Sequence, residues 1–384
     1  MPVFRCALKA FSVSLLFLSM TVVPSAQEIA TLKKQAENGD AKAQYHLGII
    51  YFNGQGVDKN YTQAFGWTYK AAQQGLPGAE NLLGILYGEG AGVPASYQDA
   101  LRWWHKAAEK GEIGAELNLG QAYYDGKNGD TDYVEALNWW RKAADQGDAQ
   151  AALNVGLMYR NGQGVTKDTD EARRWYRMAA DRGSDEAMCK LGFSYWIAPK
   201  PDYVESMRWY RLAADKGNTQ AMFSIGEFYQ YGHGVTQDLD LALHWYDLAA
   251  AKGNTMAMDE IGDMYYEGEG IPQDFTESLR WRRKSAEFGD ESAMRSLGEM
   301  YRDGKGVSRN YGEAYFWMNV SLARTEWFQG CDDDDDYCRE LGRKFQDEAH
   351  KERDALAAKL SPRELQQLQQ RSREWAKAHP ATHQ

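Results

Sequence analysis

The stretch AQYHLGIIYFNGQGV, from Ala43 to Val57, has the pattern of a helix that ends in a glycine turn. Ala43, Leu47 and Tyr51 are spaced four residues apart, which places them on one helical face. Gly48 lies inside this helix, where glycine is destabilising by about 0.5–1 kcal/mol relative to alanine. A glycine in this position indicates that another part of the chain needs the space that a side chain would fill.

The pattern recurs along the 384-residue chain with a period of 36 residues and one step of 34. After Leu47, the equivalent segments begin at Leu83, Leu119, Val155, Leu191, Ile225, Ile261 and Leu297. A second motif, AFGWTYKAAQQG in its first copy, follows and ends at Gly75, Gly111, Gly147, Gly183, Gly217, Gly253 and Gly289. A fixed period of this length is the signature of a repeat protein.

Each unit is predicted to hold two helices. In the second helix of the first unit, Ala64, Trp67 and Ala71 form a stripe like that of the first helix. Small residues on both stripes predict that the helices cross closely, with the tryptophan filling the space beside Gly48. Because one such unit cannot bury its apolar stripe alone, stacking of neighbouring units must make the core.

These residues resemble the Sel-one-like repeat, a relative of the tetratricopeptide repeat. The shared pattern is A-x-x-x-L-G-x-x-Y-x-x-G-x-G-V, then A-x-x-W and A-A-x-x-G. The resemblance implies an all-α fold, a right-handed α-solenoid of about eight two-helix repeats over residues 27–324. It also implies a protein-interaction scaffold of a kind that is often exported in bacteria.

The N-terminal residues have the pattern of a secretory signal peptide. Arg5 and Lys9 precede the apolar run AFSVSLLFLSMTVV, and the small residues of PSAQE offer a cleavage point. We therefore expect residues 1–26 to be removed and the protein to be periplasmic or secreted. The alternative is an uncleaved membrane anchor, although the run is shorter than the roughly 20 residues that span a bilayer.

The charge of the chain excludes some partners. Residues 1–26 carry Arg5 and Lys9 and no acidic residue, so their removal changes the formal charge from −11 to −13. An acidic protein lacks the basic surface that phosphate binding requires, and anionic lipid head groups repel it. We expect neither nucleic acid as a partner nor a membrane-embedded mature protein.

The C-terminal residues 325–384 are predicted to form a helical cap, because the end of a solenoid needs a polar outer face. Ser361 followed by Pro362 and Glu364 is the signature of a helix start with a capping box. Helices are expected at about residues 337–360 and 362–378.

Cys331 and Cys338 bracket five consecutive aspartates, Asp332 to Asp336. In an oxidising compartment the two cysteines are expected to form a disulfide, which would stabilise the fold by about 2–3 kcal/mol on the loop-entropy model. The aspartates form either a solvated, self-repelling loop or a calcium site. A calcium loop alternates its ligands with spacing residues and glycine, which favours the solvated loop. Cys189 is expected to be a small buried residue.

The fifth unit departs from the pattern. It is two residues shorter than the others, and Pro199 and Pro201 replace its glycine turn. This difference is either a deletion in a surface loop or a change in superhelix curvature that places Trp196 at the wall of a groove.

The sequence offers no arrangement that catalysis requires. It contains no G-x-S-x-G elbow, no serine followed by lysine at the third position and no G-x-x-x-x-G-K loop. The seven histidines lack metal-ligand spacing. We expect no enzymatic activity, no cofactor and no metal. The enzymatic alternative is a resemblance to cysteine-rich relatives that bind penicillin-like compounds, but those staple each repeat with a disulfide.

The candidate partner-binding residues lie on the first helices, which line the concave face in tetratricopeptide-like solenoids. The position after the repeat tyrosine varies between units, and aromatic residues and arginines there are typical of interface hot spots. The predicted binding residues are Tyr124, Arg160, Trp196, Tyr266 and Arg302, with the acidic Glu260, Asp263 and Glu299 beside them. The alternative is that the aromatic residues are half-buried between units and the acidic residues are only solvated.

The expected function is therefore a scaffold that binds a protein or peptide along its concave face. A cell-wall module that recognises glycan or peptide stems is the alternative, with Trp196 and Tyr266 as flat stacking surfaces.

The position after the repeat alanine holds methionine in the last four units, at Met188, Met222, Met258 and Met294. We expect these methionines to pack in the core, where methionine fills irregular gaps, and not to form a flexible binding strip.

The disulfide can be tested by mass spectrometry of non-reduced protein recovered after export. The expected result is one peptide pair that joins Cys331 to Cys338 and none that involves Cys189. Alkylation of both Cys331 and Cys338 without prior reduction would contradict the prediction.

Overall fold

A computed structural model describes residues 23–127, 129–324 and 336–379 of the chain. Within these ranges it contains nineteen α-helices and no β-strand, as the repeat pattern predicts. The helices are α1 (Ala26–Glu37), α2 (Ala41–Asn53), α3 (Tyr61–Gln73), α4 (Pro77–Glu89), α5 (Tyr97–Ala108), α6 (Ile113–Tyr124), α7 (Tyr133–Asp145), α8 (Ala149–Asn161), α9 (Thr169–Asp181), α10 (Asp185–Trp196), α11 (Tyr203–Asp215), α12 (Thr219–Tyr231), α13 (Leu239–Ala251), α14 (Thr255–Glu267), α15 (Phe275–Glu287), α16 (Glu291–Asp303), α17 (Tyr311–Arg324), α18 (Asp336–Ala357) and α19 (Pro362–Ala378).

Helices α2 to α17 supply two helices to each of the eight repeats, and the two helices of a repeat are described in contact in seven of them. The even-numbered helices α2 to α16 are the first helices of the repeats, and the odd-numbered helices α3 to α17 are the second helices. The chain divides into two compact units between Ser194 and Tyr195. Within each unit, helices pack mainly against their neighbours in the chain, which is the arrangement of an α-solenoid.

The glycine inside each first helix is a packing site, as its recurrence predicts. A Cβ atom on Gly84 would lie 2.5 Å from Cδ1 of Trp104, and one on Gly226 would lie 2.5 Å from Cε1 of Tyr246. Both rings belong to the second helix of the same repeat. Trp104 is also held by its indole N–H, which donates to the Asn81 carbonyl at 3.2 Å.

The residue that faces this glycine differs from the one expected from the sequence. Gly48 lies against Thr68, and Trp67 instead packs with Ala36 and Leu47 in the first core cluster. In every repeat for which the contact is described, the glycine faces the position after the repeat tryptophan. The expectation that Trp67 fills the space beside Gly48 is therefore wrong by one position. The reason is that adjacent residues on a helix point in directions about 100° apart. The repeat tryptophan contacts the preceding repeat, as Trp103 does with Tyr69 and Trp139 with His105, and the next residue lies over the glycine.

The two glycines in the turn after a first helix are needed for different reasons. Gly54 ends α2 with φ +72°, a left-handed conformation that favours glycine. Gly56 also has φ +72°, and a Cβ atom there would lie 2.7 Å from the Pro24 carbonyl oxygen. The second glycine of the turn thus allows close approach to the preceding segment of chain.

The position after the repeat alanine changes character along the chain. Met188, Met222, Met258 and Met294 are buried, which confirms their prediction as core residues. In the second repeat the same position holds Glu80, a fully buried carboxylate that accepts from Lys110 Nζ at 2.7 Å. In the first and third repeats the position holds Gln44 and Glu116, which bond Gln74 and Gln146 just after the second helix of the same repeat, so the first three repeats have a polar pair where the last four have methionine.

The C-terminal helices pack on the last repeat. α19 begins at Pro362 with the predicted capping box, in which Ser361 and Glu364 bond each other's backbone N–H groups. α18 and α19 both contact α17, and Leu356 is buried in the terminal core cluster. α18 ends at Ala357, three residues before the expected end.

Several expectations fall on residues outside the described ranges. Residues 1–22, Cys331 and the aspartates 332–335 lie there, so the signal peptide, the disulfide and the alternatives for the aspartate run stay predictions. The boundaries at residues 26 and 324 and the curvature hypothesis for the fifth unit also stay predictions. Cys189 is buried, as expected.

The glycine contact can be tested with two matched substitutions inside helices. Gly84→Ala places a methyl group against the Trp104 ring and is expected to cost on the order of 1–3 kcal/mol of unfolding free energy. A methyl group added to Gly66 in α3 would meet no neighbouring atom within 4 Å, so Gly66→Ala is expected to stabilise the protein by about 0.5–1 kcal/mol. Thermal unfolding of both variants gives the comparison. Equal effects of the two substitutions would contradict the packing role of Gly84.

Candidate partner-binding site

The predicted aromatic residue Tyr124 joins two repeats. It lies near the end of α6, where its ring centroid is 5.2 Å from that of Tyr133 and 5.4 Å from that of Trp140. Its hydroxyl accepts a hydrogen bond from Gln163 Nε2 at 3.0 Å. Gln163 lies between the two turn glycines of the next repeat, so Tyr124 is half-buried and links its own repeat to the following one.

Tyr266 and Trp196 make the same kind of contact. The ring centroid of Tyr266 is 5.1 Å from that of Phe275. The Tyr266 hydroxyl accepts a hydrogen bond from Lys305, which lies in the turn of the next repeat. The ring centroid of Trp196 is 5.9 Å from that of His233, which occupies the equivalent turn position. These rings are half-buried. Their role in binding a partner stays a prediction.

The two predicted arginines have different surroundings. The Arg160 guanidinium lies 5.9 Å from the Phe193 ring centroid. Arg302 donates to Asp303 at 2.8 Å and to Glu352 of the C-terminal helix α18 at 3.5 Å. The hydrogen bond to Asp303 raises the pKa of the Arg302 guanidinium. Arg302 is thus paired with two carboxylates, whereas the contact described for Arg160 is with an aromatic ring.

The acidic residues separate into two groups. Asp263 forms an ion pair with Arg282, and Glu299 forms one with Arg295 at 3.3 Å. Burial raises the pKa of Glu260. Burial, together with the charge of Glu260, raises the pKa of Glu227 on α12 to about 8. Asp263 and Glu299 are each paired with an arginine, which compensates their negative charge. Glu227, whose pKa is about 8, holds a proton near neutral pH.

An open groove that the sequence did not predict is lined by residues of the second, third and fourth repeats. The lining residues come from α5 to α8 and the turn after α6, and they are Tyr97, Trp104, Leu117, Asn118, Gln121, Ala122, Asp125, Lys127, Trp140, Gln150 and Asn154. Trp104 and Trp140, the residues that face the packing glycines, contribute to the apolar lining. The groove is thus built directly on the contact that sets the helix spacing.

Amide side chains supply much of the polar surface of this groove. Asn118 donates to Asn81 Oδ1 at 2.8 Å, and Asn154 accepts from Gln150 Nε2 at 3.0 Å. Asn118 and Asn154 occupy the same position in consecutive repeats, the third after the repeat alanine. That recurrence is the only signal in the sequence that marks them, because asparagines on a helix ordinarily indicate a solvated face.

The described residues contain no group of histidine, cysteine or acidic side chains able to hold a metal ion. In the same part of the chain, no helix is long and apolar enough to cross a membrane. The groove offers several amide groups, one carboxylate and one ammonium group among apolar side chains, and such a mixture is typical of a binding site.

The raised pKa of Glu227 predicts a pH dependence of stability. The folded state keeps the proton up to about pH 8, whereas the unfolded chain releases it near the ordinary value of 4.5. The unfolding free energy should therefore fall as the pH rises between these values. Glu227→Gln is neutral at every pH and should reduce this fall by roughly 1–3 kcal/mol.

Thermal melting of wild type and variant at pH 5 and pH 9 measures the difference. Glu267→Gln, an exposed substitution on α14, is the control for the loss of one negative charge. A pH dependence of Glu227→Gln equal to that of wild type would contradict the burial of this carboxyl group.

Comparison with known proteins agrees with this geometry. The Sel1 repeat model matches residues 41–76, 77–112, 113–148, 149–184, 185–218, 219–254, 255–290 and 291–320. A Sel1 repeat protein from Oxalobacter formigenes has a similar solved structure, with a TM-score of 0.63 and 28% sequence identity over 83% of this chain and 90% of that chain. The protective antigen c5321 of uropathogenic Escherichia coli, described as displaying an SLR fold, is 26% identical with a TM-score of 0.37, covering 92% of this chain and 87% of that chain.

A comparison with curated proteins finds no match. Sel1 repeats form helical scaffolds that commonly mediate protein–protein interaction and are generally not catalytic. Every matched segment begins at the first residue of a first helix of the structure. Because the eight matched segments account for most of its length, the chain belongs to the Sel1 repeat family.

Proposed function

We propose that this protein is a non-enzymatic exported scaffold that holds a protein or peptide segment along the face formed by the first helices of its repeats. The proposal extends what Sel1 repeats commonly do to one face of this chain. Export follows from the signal-peptide pattern of residues 1–26, which assigns the scaffold to the periplasm or the extracellular medium. Regulation in the periplasm, envelope assembly and host interaction are the roles that such a location allows.

The observation that carries the proposal is the open groove over Trp104 and Trp140. A groove with an apolar base and a few polar groups suits a peptide segment, since it buries side chains and hydrogen-bonds the chain at the same time. Arg160, at the end of α8, adds a positive charge whose side chain is only partly buried. Arginine with nearby aromatic residues is the composition of interface hot spots.

The cell-wall alternative requires flat aromatic surfaces that are open to a sugar ring. Tyr266 has the Arg282 guanidinium 4.7 Å from its ring centroid and the Lys305 ammonium 4.5 Å from it. The positions over the Tyr266 ring are thus already taken by cations of the same chain. This arrangement favours a protein segment over a glycan as the partner.

The proposal is tested by capture of partners from an envelope extract, with and without enzymatic digestion of the cell wall. Arg160→Ala and Trp196→Ala are expected to weaken capture of a defined protein by roughly 1–2 kcal/mol, as interface anchors do. Arg174→Ala is the matched control, because Arg174 lies on the second helix α9 with its side chain 78% exposed. It should leave capture unchanged.

Quantitative mass spectrometry of the captured proteins gives the result, and thermal melting shows which variants remain folded. Capture that persists after wall digestion and decreases with Arg160→Ala supports the scaffold. Retention only on intact cell wall would overturn it in favour of the wall module. Equal capture by Arg160→Ala, Trp196→Ala and Arg174→Ala would remove these residues from the binding face.

A further inference from the structure

A carboxyl group of the seventh repeat lies against a carboxyl group at the start of the eighth. Asp259 is on the first helix α14, and its Oδ1 atom is buried and receives no hydrogen bond from a donor in the part of the chain that the structure describes. The Asp259 side chain is within hydrogen-bonding contact of Asp290, the N-cap residue of α16. Two carboxylates have no hydrogen to share, so one of the two groups must hold a proton.

The N-cap position determines which of the two carboxyl groups is ionised. Asp290 Oδ1 accepts the backbone N–H of Ala293 at 2.9 Å, and the positive end of the α16 dipole favours a negative charge there. Asp259 lies inside α14, where no helix end favours its charge. Burial, together with the charge of Asp290, raises the pKa of Asp259 well above its ordinary value. Asp259 therefore holds the proton and donates it in a hydrogen bond to Asp290.

We infer that Asp259 and Asp290 form a pH-sensitive latch between the seventh and eighth repeats. The latch is closed while the Asp259 carboxyl group donates its hydrogen to the Asp290 carboxylate. When Asp259 loses the proton, the hydrogen bond is lost and two negative charges face each other at a site poor in water, where like charges repel strongly. The start of α16 then separates from α14, and water reaches both carboxylates.

The charged groups near Asp259 on α14 and its neighbouring helices do not offset this repulsion. The charge of Asp263, one turn further along α14, also raises the pKa of Asp259. Arg282 of α15 is paired with Asp263. On the side of α14 that faces α13, Tyr246 is next to Glu260, whose charge raises the pKa of the Tyr246 hydroxyl.

The remaining polar neighbours are also engaged elsewhere. Ser285 of α15 is within hydrogen-bonding contact of Asp259, which lowers the pKa of Asp259 to a smaller extent than burial raises it. The Ser285 hydroxyl has a single hydrogen, and it donates to the Thr255 carbonyl at 3.3 Å. On α16, the Arg295 guanidinium is paired with Glu299 at 3.3 Å. The proton on Asp259 is thus the group that decides whether the contact with Asp290 attracts or repels.

The acidic residue at this position is not a requirement of the repeat. In the other seven repeats the position of Asp259 holds Tyr45, Asn81, Leu117, Leu153, Cys189, Phe223 and Arg295. Leu153 and Cys189 are buried there, so an apolar side chain fits the fold. A carboxyl group that faces another carboxyl group is therefore a property of the seventh junction alone, and it makes this junction respond to pH.

Loss of the proton weakens the junction as the pH rises. The closed junction keeps the proton on Asp259, whereas an opened junction exposes Asp259 to water and releases the proton near the ordinary value of 3.8. The opened state binds fewer protons, so each pH unit above this value favours opening by up to about tenfold, until the closed state releases its proton as well. The contribution of the latch is therefore complete at acidic pH and lost in alkaline solution.

Native-state hydrogen exchange of the full mature protein, read by mass spectrometry between pH 6 and pH 9, tests the latch. The exchange rates of α16 peptides, corrected for the intrinsic rate at each pH, report the opening of α16. Their protection in wild type is expected to fall by about 10-fold or more over this range. In Asp259→Asn the amide donates to Asp290 at every pH. Asp290→Asn keeps the helix cap but removes the facing charge. Both variants should reduce the fall to less than about 3-fold.

A second measurement detects the proton itself. The infrared spectrum of wild type at pH 7, minus that of Asp259→Asn, should contain the absorption band of one protonated carboxyl group. Glu227 is present in both proteins, so its own proton cancels in the difference. Absence of the band would overturn the assignment of the proton to Asp259.

Glu227→Gln is the matched control for the exchange experiment, because it removes another carboxyl group with a raised pKa, on α12. It should leave the pH dependence of α16 as it is in wild type. Circular dichroism verifies that each variant is folded, and either asparagine variant alone suffices for the test. An equal fall in protection in wild type, Asp259→Asn and Asp290→Asn would overturn the latch. A fall that Glu227→Gln abolishes as completely would also overturn it, because the opening would then not be specific to this junction.

Discussion

The structure depends on one contact that recurs through the repeats, a glycine on the first helix against a larger side chain on the second. The absence of a side chain at Gly84 or Gly226 allows a ring of the second helix to lie directly on the backbone of the first. Burial of these rings offsets the cost of glycine inside a helix. The contact sets the helix spacing within a repeat, and the turn glycines set the approach of one repeat to the next. The groove lined by the second to fourth repeats depends on this contact, because Trp104 and Trp140 are among its lining residues.

Much of the fold could be predicted from the sequence, since its causes are residue types at fixed spacing. A 36-residue period, glycine within a helical pattern and a glycine turn leave few alternatives to stacked helix pairs. The capping box at Ser361 fixes the start of α19 to the residue. The partner of the glycine could not be predicted as well. Adjacent large residues such as Trp67 and Thr68, or Trp139 and Trp140, differ by about 100° around the helix, and the letters alone do not show which one faces the glycine.

The candidate site was predictable only where it uses residues that are conspicuous in a sequence. Aromatic residues and arginines at the position after the repeat tyrosine were selected because such residues anchor interfaces. The structure adds that Tyr124 and Tyr266 also bond the turn of the next repeat, a contact between residues 39 apart. The asparagines of the groove were missed because a helix pattern treats them as solvated. Their burial arises only when the neighbouring helices stack beside them, which single-sequence periodicity does not report.

These contacts make stacking and binding interdependent. Tyr124 packs on Trp140 and bonds Gln163, and Trp140 lies under the groove that Asn118 and Asn154 line. A segment that occupies the groove therefore touches residues on either side of the junction between the third and fourth repeats. In a solenoid, stability is approximately a sum of repeat and interface contributions. A ligand that bridges this junction adds to the interface contribution directly, so it stabilises the stacking of the two repeats as well as its own complex. A substitution at Tyr124 is expected to loosen this junction whether or not Tyr124 contacts a ligand, because it removes the packing on Trp140 and the hydrogen bond from Gln163.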